Sequence, residues 1–191
     1  MLLSEYHILL KESVKGITLI NPEGSPYHAL GTEILEMVFS YLQDSDFFLK
    51  NGDIVNHYAS LGYAHGWLIA GSYLGLYKKP IPAIVFSDVT FPDQYNQEHL
   101  LEKTWRYHMM LTNAIQSVSP FPGTGSPLAL AADKSLHEVN DSFSRAEELI
   151  KDNQFIPALG YLCYGYGWLD TVVRAGLIQV HANFNLFTTE F

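Results

Sequence analysis

The chain is poor in basic residues and has a single cysteine, and each scarcity excludes a class of protein. Lys and Arg number 11 against 20 Asp and Glu, so the formal net charge of the 191 residues is −9. Nucleic-acid binding depends on basic side chains that neutralise phosphates, and we therefore expect no DNA or RNA partner. Because Cys163 has no second cysteine to pair with, an intrachain disulfide is excluded and a reducing compartment is indicated.

Several motifs that carry chemistry are also missing. The paired Glu-x-x-His sequences of di-metal helical bundles do not occur, so we expect no metal. No Gly-rich phosphate loop follows a strand pattern and no nucleophile elbow is found, so we expect no cofactor. The first eleven residues carry Glu5 and have no basic stretch ahead of their apolar residues, unlike a signal peptide, which favours a cytoplasmic location.

One long stretch, between Asp53 and Lys78, contains no charged residue and has the length of a membrane span. Histidine, serine, asparagine and tyrosine residues dilute its apolar character, and the corresponding stretch nearer the C-terminus contains Asp170 and Arg174. We therefore interpret both stretches as buried central helices and expect no membrane span.

What the chain does contain is a gapless internal duplication at an offset of 101 residues. Between residues 24–76 and 125–177, 13 of 53 residue pairs are identical, whereas chance at ordinary composition gives about three or four. The identities are densest at a Gly-Ser-Pro sequence (24–26 and 125–127) and at a Tyr-x-x-Gly-Trp-Leu sequence (63–68 and 164–169). One fold unit used twice allows each candidate site to be compared with its equivalent.

Each repeat has the pattern of a helical hairpin. Ser25 and Ser126 precede prolines at the first helical position, where a serine hydroxyl caps free amides and proline loses no hydrogen bond. Apolar residues then recur every three or four positions for about seven turns. Turn residues at 51–53 and 152–154 reverse the chain into second helices, predicted at 54–77 and 155–178.

The second helices are rich in glycine. Gly62 and Gly66 lie four residues apart, a spacing that lets another helix approach closely. Gly75 and Gly176 are open to a second interpretation, in which they simply end their helices.

We expect a single all-α domain over residues 1–191. It contains repeat one at 24–77, a connector at 78–124 with a helix near residues 94–117, repeat two at 125–178 and a C-terminal tail at 179–191. The two repeated helical hairpins are predicted to form a pseudo-twofold four-helix bundle, flanked by the connector helix and by an N-terminal helix near residues 2–12. The tail is expected to dock on the body or on a partner through Phe184, Leu186, Phe187 and Phe191.

The most distinctive sequence is Tyr-Gly-Tyr-Gly-Trp-Leu-Asp at residues 164–170, followed by Arg174 and Gly176. It resembles the archaeal family catalogued as domain of unknown function 357, in which a turn precedes a helix with a similar order of Tyr, Gly, Leu, Asp, Arg and Gly. The resemblance covers repeat two well and repeat one more weakly. It implies a helical fold and an archaeal, cytoplasmic setting; the family has no established activity and so supplies no catalytic residues.

The candidate binding residues lie in this motif and at the matching positions of repeat one. The aromatic members either line a pocket for a flat apolar ligand or form a core whose polar tips are hydrogen-bonded at its rim. His65 stands opposite Tyr166 in the repeat, which predicts a structural hydrogen bond at both positions. The full set is Tyr63, His65, Trp67, Tyr164, Tyr166, Trp168, Asp170 and Arg174.

Asp170 and Arg174 are the only charged members of this set. They lie four residues apart on one helix, so their side chains can meet as a salt bridge. The pair either closes the helix end at the edge of the bundle or binds an anion or carboxylate through an Arg174 that Asp170 orients. Since repeat one has Ile69 and Tyr73 at the equivalent positions, any charged site is single.

For function, we expect a non-catalytic binding or protein-interaction module that uses the aromatic central helices or the Phe-rich tail, with a protein partner or a second copy of the chain. The alternative is a small-molecule-binding enzyme with a site around Asp170 and Arg174. An exposed apolar patch favours the first hypothesis, whereas a concave polar pocket with convergent titratable groups favours the second.

Overall fold

A computed structural model describes residues 1–188 and places six α-helices in this part of the chain. The predicted tail residue Phe191 lies outside the described residues. Two three-residue strands, β1 and β2, pair antiparallel and are the only strands longer than a single bridge within residues 1–188. The elements are α1 (Leu3–Val14), α2 (Pro26–Lys50), α3 (Ile54–Tyr73), α4 (Gln97–Gln116), β1 (Val118–Pro120), α5 (Pro127–Lys151), α6 (Phe155–Arg174) and β2 (Ile178–Val180).

The long helices begin where the sequence predicts. The Ser25 hydroxyl accepts the backbone amide of His28 at 3.2 Å, and the Ser126 hydroxyl accepts that of Ala129 at 3.0 Å. In both helices a proline follows the cap directly. The same local chemistry therefore starts the first helix of each hairpin.

The second helix of each hairpin ends four residues earlier than predicted. α3 ends at Tyr73 and α6 at Arg174, and Gly75 and Gly176 follow with φ of +70° and +71°. A left-handed residue of this kind stops a helix and is easily adopted by glycine. Ile178, predicted as helical, instead begins β2.

The two hairpins contact each other through α3 and α6, as the predicted bundle requires. At their crossing, the equivalent residues Gly66 and Gly167 face one another. A Cβ added to Gly66 would overlap the carbonyl oxygen of Tyr164, and a Cβ added to Gly167 would overlap that of Tyr63. The helices approach this closely only because both positions lack a side chain, and the reciprocal contacts show the pseudo-twofold relation.

The duplicated unit also includes the helix that precedes each hairpin. Residues 3–14 of α1 correspond at the same offset to residues 104–115 of α4. Three pairs are identical in type: Tyr6 with Tyr107, His7 with His108, and Leu10 with Leu111. The antiparallel bridge between Leu19 and Tyr77 likewise corresponds to the pair Pro120 and Ile178 in the β1–β2 ribbon. The helix predicted as a connector is therefore the first helix of the second unit.

α3 and α6 form the centre of the core, with α2 packed on α3 and α5 packed on α6. The described part of the tail lies on this body: Phe187 is buried, and the hydroxyl of Tyr166 donates a 2.5 Å hydrogen bond to the carbonyl oxygen of Leu186. Across residues 1–188, no helix has both the length and the apolarity that crossing a membrane requires.

Candidate functional site

The candidate aromatic residues lie in the core and not on an exposed surface. Trp67 is 1% exposed and Trp168 4%, while Tyr63 and Tyr166 are also buried and Tyr164 is partly buried. Their burial favours the second of the two interpretations of these aromatic residues, a core with polar tips at its rim. The aromatic faces of the central helices are occupied because α3 and α6 pack against each other and against their flanking helices.

The buried histidines of α3 are structural. Both ring nitrogens of His65 have a hydrogen-bond partner. Nδ1 lies 3.2 Å from the Tyr6 hydroxyl, and Nε2 lies 3.1 Å from the carbonyl oxygen of Pro82. Nδ1 of His57 forms a hydrogen bond of 2.7 Å with the Ser45 hydroxyl. Burial lowers the pKa of each histidine to about 4, because the charged imidazolium would lose its hydration. The predicted structural hydrogen bond at His65 is thus present.

Asp170 is the most perturbed acid of the described chain. It is 1% exposed, and the hydroxyl of Tyr63, on the opposite central helix, donates to its Oδ2 atom. Among residues 1–188, no group makes a well-formed hydrogen bond to Oδ1. Burial raises the pKa of Asp170 to about 8, and the backbone and hydroxyl of Thr188 oppose this only in part by favouring the charged form.

Three further tyrosines, from three different helices, extend the ring cluster that begins at Tyr63. Tyr41 of α2 lies 4.4 Å from the ring of Tyr63, and Tyr166 of α6 lies 5.9 Å from it. Tyr107 of α4 in turn contacts Tyr166 at 6.3 Å. Burial and the nearby Asp170 raise the pKa of Tyr41 to about 12. Tyr63 is therefore the tyrosine that donates to this carboxyl, which is largely neutral at pH 7, whereas the hydroxyl of Tyr166 is used by the carbonyl oxygen of Leu186.

Asp170 and Arg174 do not form the predicted salt bridge. The Nε atom of Arg174 instead donates to Oε2 of Glu33, on α2, at 2.6 Å. Although the two residues are one helical turn apart, Asp170 points into the α3–α6 interface and Arg174 is at the surface, with 40% of its side chain exposed. The helix thus separates the acid from the base.

A cavity of about 330 Å³ lies beside the ion pair of Arg174 and Glu33, and we call it the Trp67 cavity. Its walls come from α2, α3, α6 and the tail. The indole Nε1 of Trp67 is buried and has no hydrogen-bond partner within residues 1–188. The lining residues are Glu33, Glu36, Met37, Trp67, Arg174 and Thr188.

A second cavity, of about 510 Å³, occupies the pseudo-equivalent place, and we call it the Trp168 cavity. Five of the residues that line the first cavity have their repeat counterparts here. The two acidic residues of the Trp67 cavity are replaced in the Trp168 cavity: Lys134 is at the position equivalent to Glu33, and His137 is at the position equivalent to Glu36. The five counterparts are Tyr73, Lys134, His137, Glu138 and Trp168.

Sequence reasoning missed a row of apolar side chains on the outer face of α4. Leu101, Trp105 and Met109 are 38%, 48% and 59% exposed and succeed one another at four-residue spacing. They form one continuous line on the helix, which we call the α4 ridge. The spacing is visible in the sequence, but nothing in it tells which face of α4 the body covers.

The described residues contain no group of three or more His, Cys, Asp or Glu side chains that could hold a metal ion. They do contain a duplicated pair of histidine and carboxylate between the first two helices of each unit. Nε2 of His7 lies 3.0 Å from Asp46, and Nε2 of His108 lies 3.4 Å from Glu147, the equivalent acid. These pairs join neighbouring helices.

A family model described as "Protein of unknown function (DUF357)" matches the chain twice, over residues 5–77 and 106–178. The two matched segments are offset by 101 residues and include α1 and the equivalent part of α4, in agreement with the longer structural unit. No curated protein and no solved structure matches the chain.

Proposed function

Because the chain belongs to the DUF357 family of proteins of unknown function, which supplies no activity, we propose from its geometry that it is a non-catalytic interaction module that self-associates through the α4 ridge. The observation that carries this proposal is the half-exposed Trp105 between Leu101 and Met109. A contiguous apolar row of this kind, flanked by polar residues, is typical of a contact surface.

Trp105 is suited to the centre of such a contact. Tryptophan is enriched among the few interface residues that supply most of the binding free energy. The centre of its ring lies 5.8 Å from that of His108 on the same helix, a contact that restricts its movement on the surface. A preordered anchor loses little side-chain freedom on binding.

The neutral charge of α4 favours a second copy of the chain as the partner that binds the α4 ridge. α4 contains two acids, Glu98 and Glu102, and two bases, Lys103 and Arg106, so it is neutral in a chain of net charge −9. Two copies that meet at this helix therefore avoid the repulsion that most of the acidic surface would cause.

The ridge is also self-complementary about a twofold axis at Trp105. When two α4 helices pack antiparallel, Leu101 of one copy lies beside Met109 of the other, since both are four residues from Trp105. Glu102 and Arg106, which pair within one helix at 3.0 Å, then lie within a turn of their opposites across the axis. A symmetric contact of this type is the commonest way in which soluble chains form dimers.

Sedimentation velocity over a range of concentrations tests the proposal. We expect a dimer for the wild type, and about a thirtyfold weaker association for Trp105→Ser, the loss expected for a central interface anchor. Serine is the residue that repeat one has at the equivalent helical position, Ser4, so the variant is expected to fold. The matched control is Phe121→Ser, which removes a 65% exposed aromatic side chain away from the ridge and is expected to leave association unchanged.

Two outcomes would refute self-association through this surface. A wild type that stays monomeric at its highest soluble concentration would exclude it and would leave a different protein as the occupant of the ridge. A dimer that Trp105→Ser does not weaken would show that another surface makes the contact.

The alternative function, a small-molecule-binding enzyme, is favoured by one observation. The pKa of Asp170 is about 8, and perturbed acids of this kind are frequent in catalytic sites. The weakness of this hypothesis is geometric, because the carboxyl is 1% exposed and Arg174 points away from it. It would gain support only if a bound small molecule were consumed by the wild type and not by Asp170→Asn.

A further inference from the structure

We propose that the Trp67 cavity binds a small zwitterion of the α-amino-acid class, with its ammonium group at Glu36 and its carboxylate at Arg174 and Trp67. This inference is independent of the self-association through α4. It depends on three features of the cavity lining: an unpaired carboxylate, hydrogen-bond donors that are not in use, and an apolar side chain.

Glu36 is the residue that would bind the ammonium group of the ligand. This acid lines the cavity and forms no ion pair with another residue of the described chain. Its neighbour Glu33, one turn earlier on α2, is already paired with Arg174. The local charge is therefore one negative charge in excess, which a primary ammonium group would neutralise.

Two hydrogen-bond donors would bind the carboxylate group of the ligand. The guanidinium group of Arg174 has five N–H groups in a fork that suits carboxylates, and within residues 1–188 only its Nε donates a hydrogen bond. Trp67 lines the same cavity at 1% exposure, and its indole N–H has no partner among the described residues. A buried N–H left unpaired is unfavourable, so an acceptor at this wall would stabilise the site.

Size and apolarity restrict the ligand further. A volume of about 330 Å³ lies at the lower end of the range for ligand cavities, about 300 to 1,000 Å³. Met37, with the small accessible part of Trp67, supplies the apolar surface against which an aliphatic or aromatic side chain would pack. These limits fit a single amino acid better than a peptide or a nucleotide.

The Trp168 cavity provides a control within the same molecule. It keeps the tryptophan but has Lys134 in place of Glu33 and His137 in place of Glu36. Lys134 and Lys79 would both repel an ammonium group, and Tyr73 replaces the arginine fork. The one acid of this cavity, Glu138, lies at the position of Met37 and not at that of Glu36. The same ligand is therefore expected to bind one cavity and not the other.

The first experiment is a thermal unfolding screen of the wild type with each of the twenty L-amino acids, followed by calorimetric titration of those that raise the melting temperature. For each such amino acid, the two matched probes are the amine that lacks the carboxylate and the acid that lacks the ammonium group. We expect one-to-one binding of at least one amino acid and binding weaker by about tenfold or more for both probes, because each has lost a charged hydrogen-bonding group.

Variants then locate the site. Glu36→Gln is expected to weaken binding by about tenfold or more, and Trp67→Phe, which removes the N–H and keeps an aromatic ring, by about three- to tenfold. In the other cavity, Trp168→Phe makes the same change and His137→Gln places the same amide at the position equivalent to Glu36; both controls are expected to leave the dissociation constant within about twofold.

Three results would overturn the proposal. They are the absence of binding by any of the amino acids, equal binding by an amino acid and its amine, and equal losses from Trp67→Phe and Trp168→Phe. None of them bears on the association state measured for Trp105→Ser, so the two proposals fail separately.

Discussion

Replacing Asp170 by asparagine tests the central electrostatic feature of the fold, the buried neutral acid. In the folded chain the pKa of Asp170 is about 8, whereas an unfolded aspartate has a pKa of about 3.9. Between these values the folded state keeps a proton that the unfolded state has lost. Stability therefore falls as pH rises through this window and becomes constant above a pH of about 8.

The magnitude is set by the proton difference. One proton corresponds to about 1.4 kcal/mol per pH unit, so the free energy of unfolding contributed by Asp170 should fall by about 1.5 to 2 kcal/mol between about pH 6.5 and pH 8. Asparagine has nearly the same shape, can accept the hydrogen bond of Tyr63 and does not ionise. The difference in stability between Asp170→Asn and the wild type should grow by that amount over the same interval.

Using the difference between the two proteins removes the contribution of the histidines. His57 and His65 have pKa values of about 4 in the folded chain, so they become protonated on unfolding as pH falls through about 6.5 and oppose the effect of Asp170. This contribution is the same in both proteins and cancels. Urea unfolding followed by tryptophan fluorescence gives the two free energies, since Trp67 and Trp168 are buried only in the folded state.

Glu148→Gln, on the exposed surface of α5, is the matched control and should show the pH dependence of the wild type. A stability difference between Asp170→Asn and wild type that stays constant from about pH 6.5 to pH 8 would refute the reasoning, because it would mean that the carboxyl is already ionised in the folded chain.

Two further predictions concern the helix crossing and the cysteine. Gly167→Ala should destabilise the fold by about 1 to 3 kcal/mol, because its Cβ would overlap the backbone carbonyl of Tyr63 and neither helix can yield locally; Gly123→Ala, which meets open space, is the control, and equal melting temperatures for both variants would contradict the close approach. Cys163 is fully buried and burial raises the pKa of its thiol, so a thiol reagent should leave it unmodified in the folded protein and label it in urea; rapid labelling under native conditions would contradict the packing of α6.

The helix starts and the hairpin turns can be predicted from sequence because their causes are local. A serine before a proline specifies its cap within four residues, and the amides it receives are those of its own first turn. The predicted helix ends lie too far along the chain because apolar periodicity continues past Tyr73, and only the left-handed conformation of Gly75 separates the helix from the next segment. Both interpretations of that glycine fit the sequence.

The site can be predicted only in part, because its contacts join distant residues. The spacing of Asp170 and Arg174 permits a salt bridge, but the partners they take, Tyr63 and Glu33, are 107 and 141 positions away. Which of two residues on one helix faces the interface depends on the packing of α3 against α6. The place of α4 as the first helix of the second unit is different, because it can be predicted from the sequence. The identity of Tyr6 with Tyr107 is present there at the same offset of 101 residues.

The duplication itself explains why only one of the two equivalent cavities carries the candidate site. Two neighbouring residues at the centre of the α3–α6 crossing are the same in both repeats, as Gly66 with Gly167 and Trp67 with Trp168, because each copy packs on the other through the same surface. The positions around the two cavities face no such constraint, and there Glu33 differs from Lys134. A symmetric core can therefore hold two cavities of opposite local charge, and an amino acid that fits the Trp67 cavity is expected to find no equivalent site on the other side.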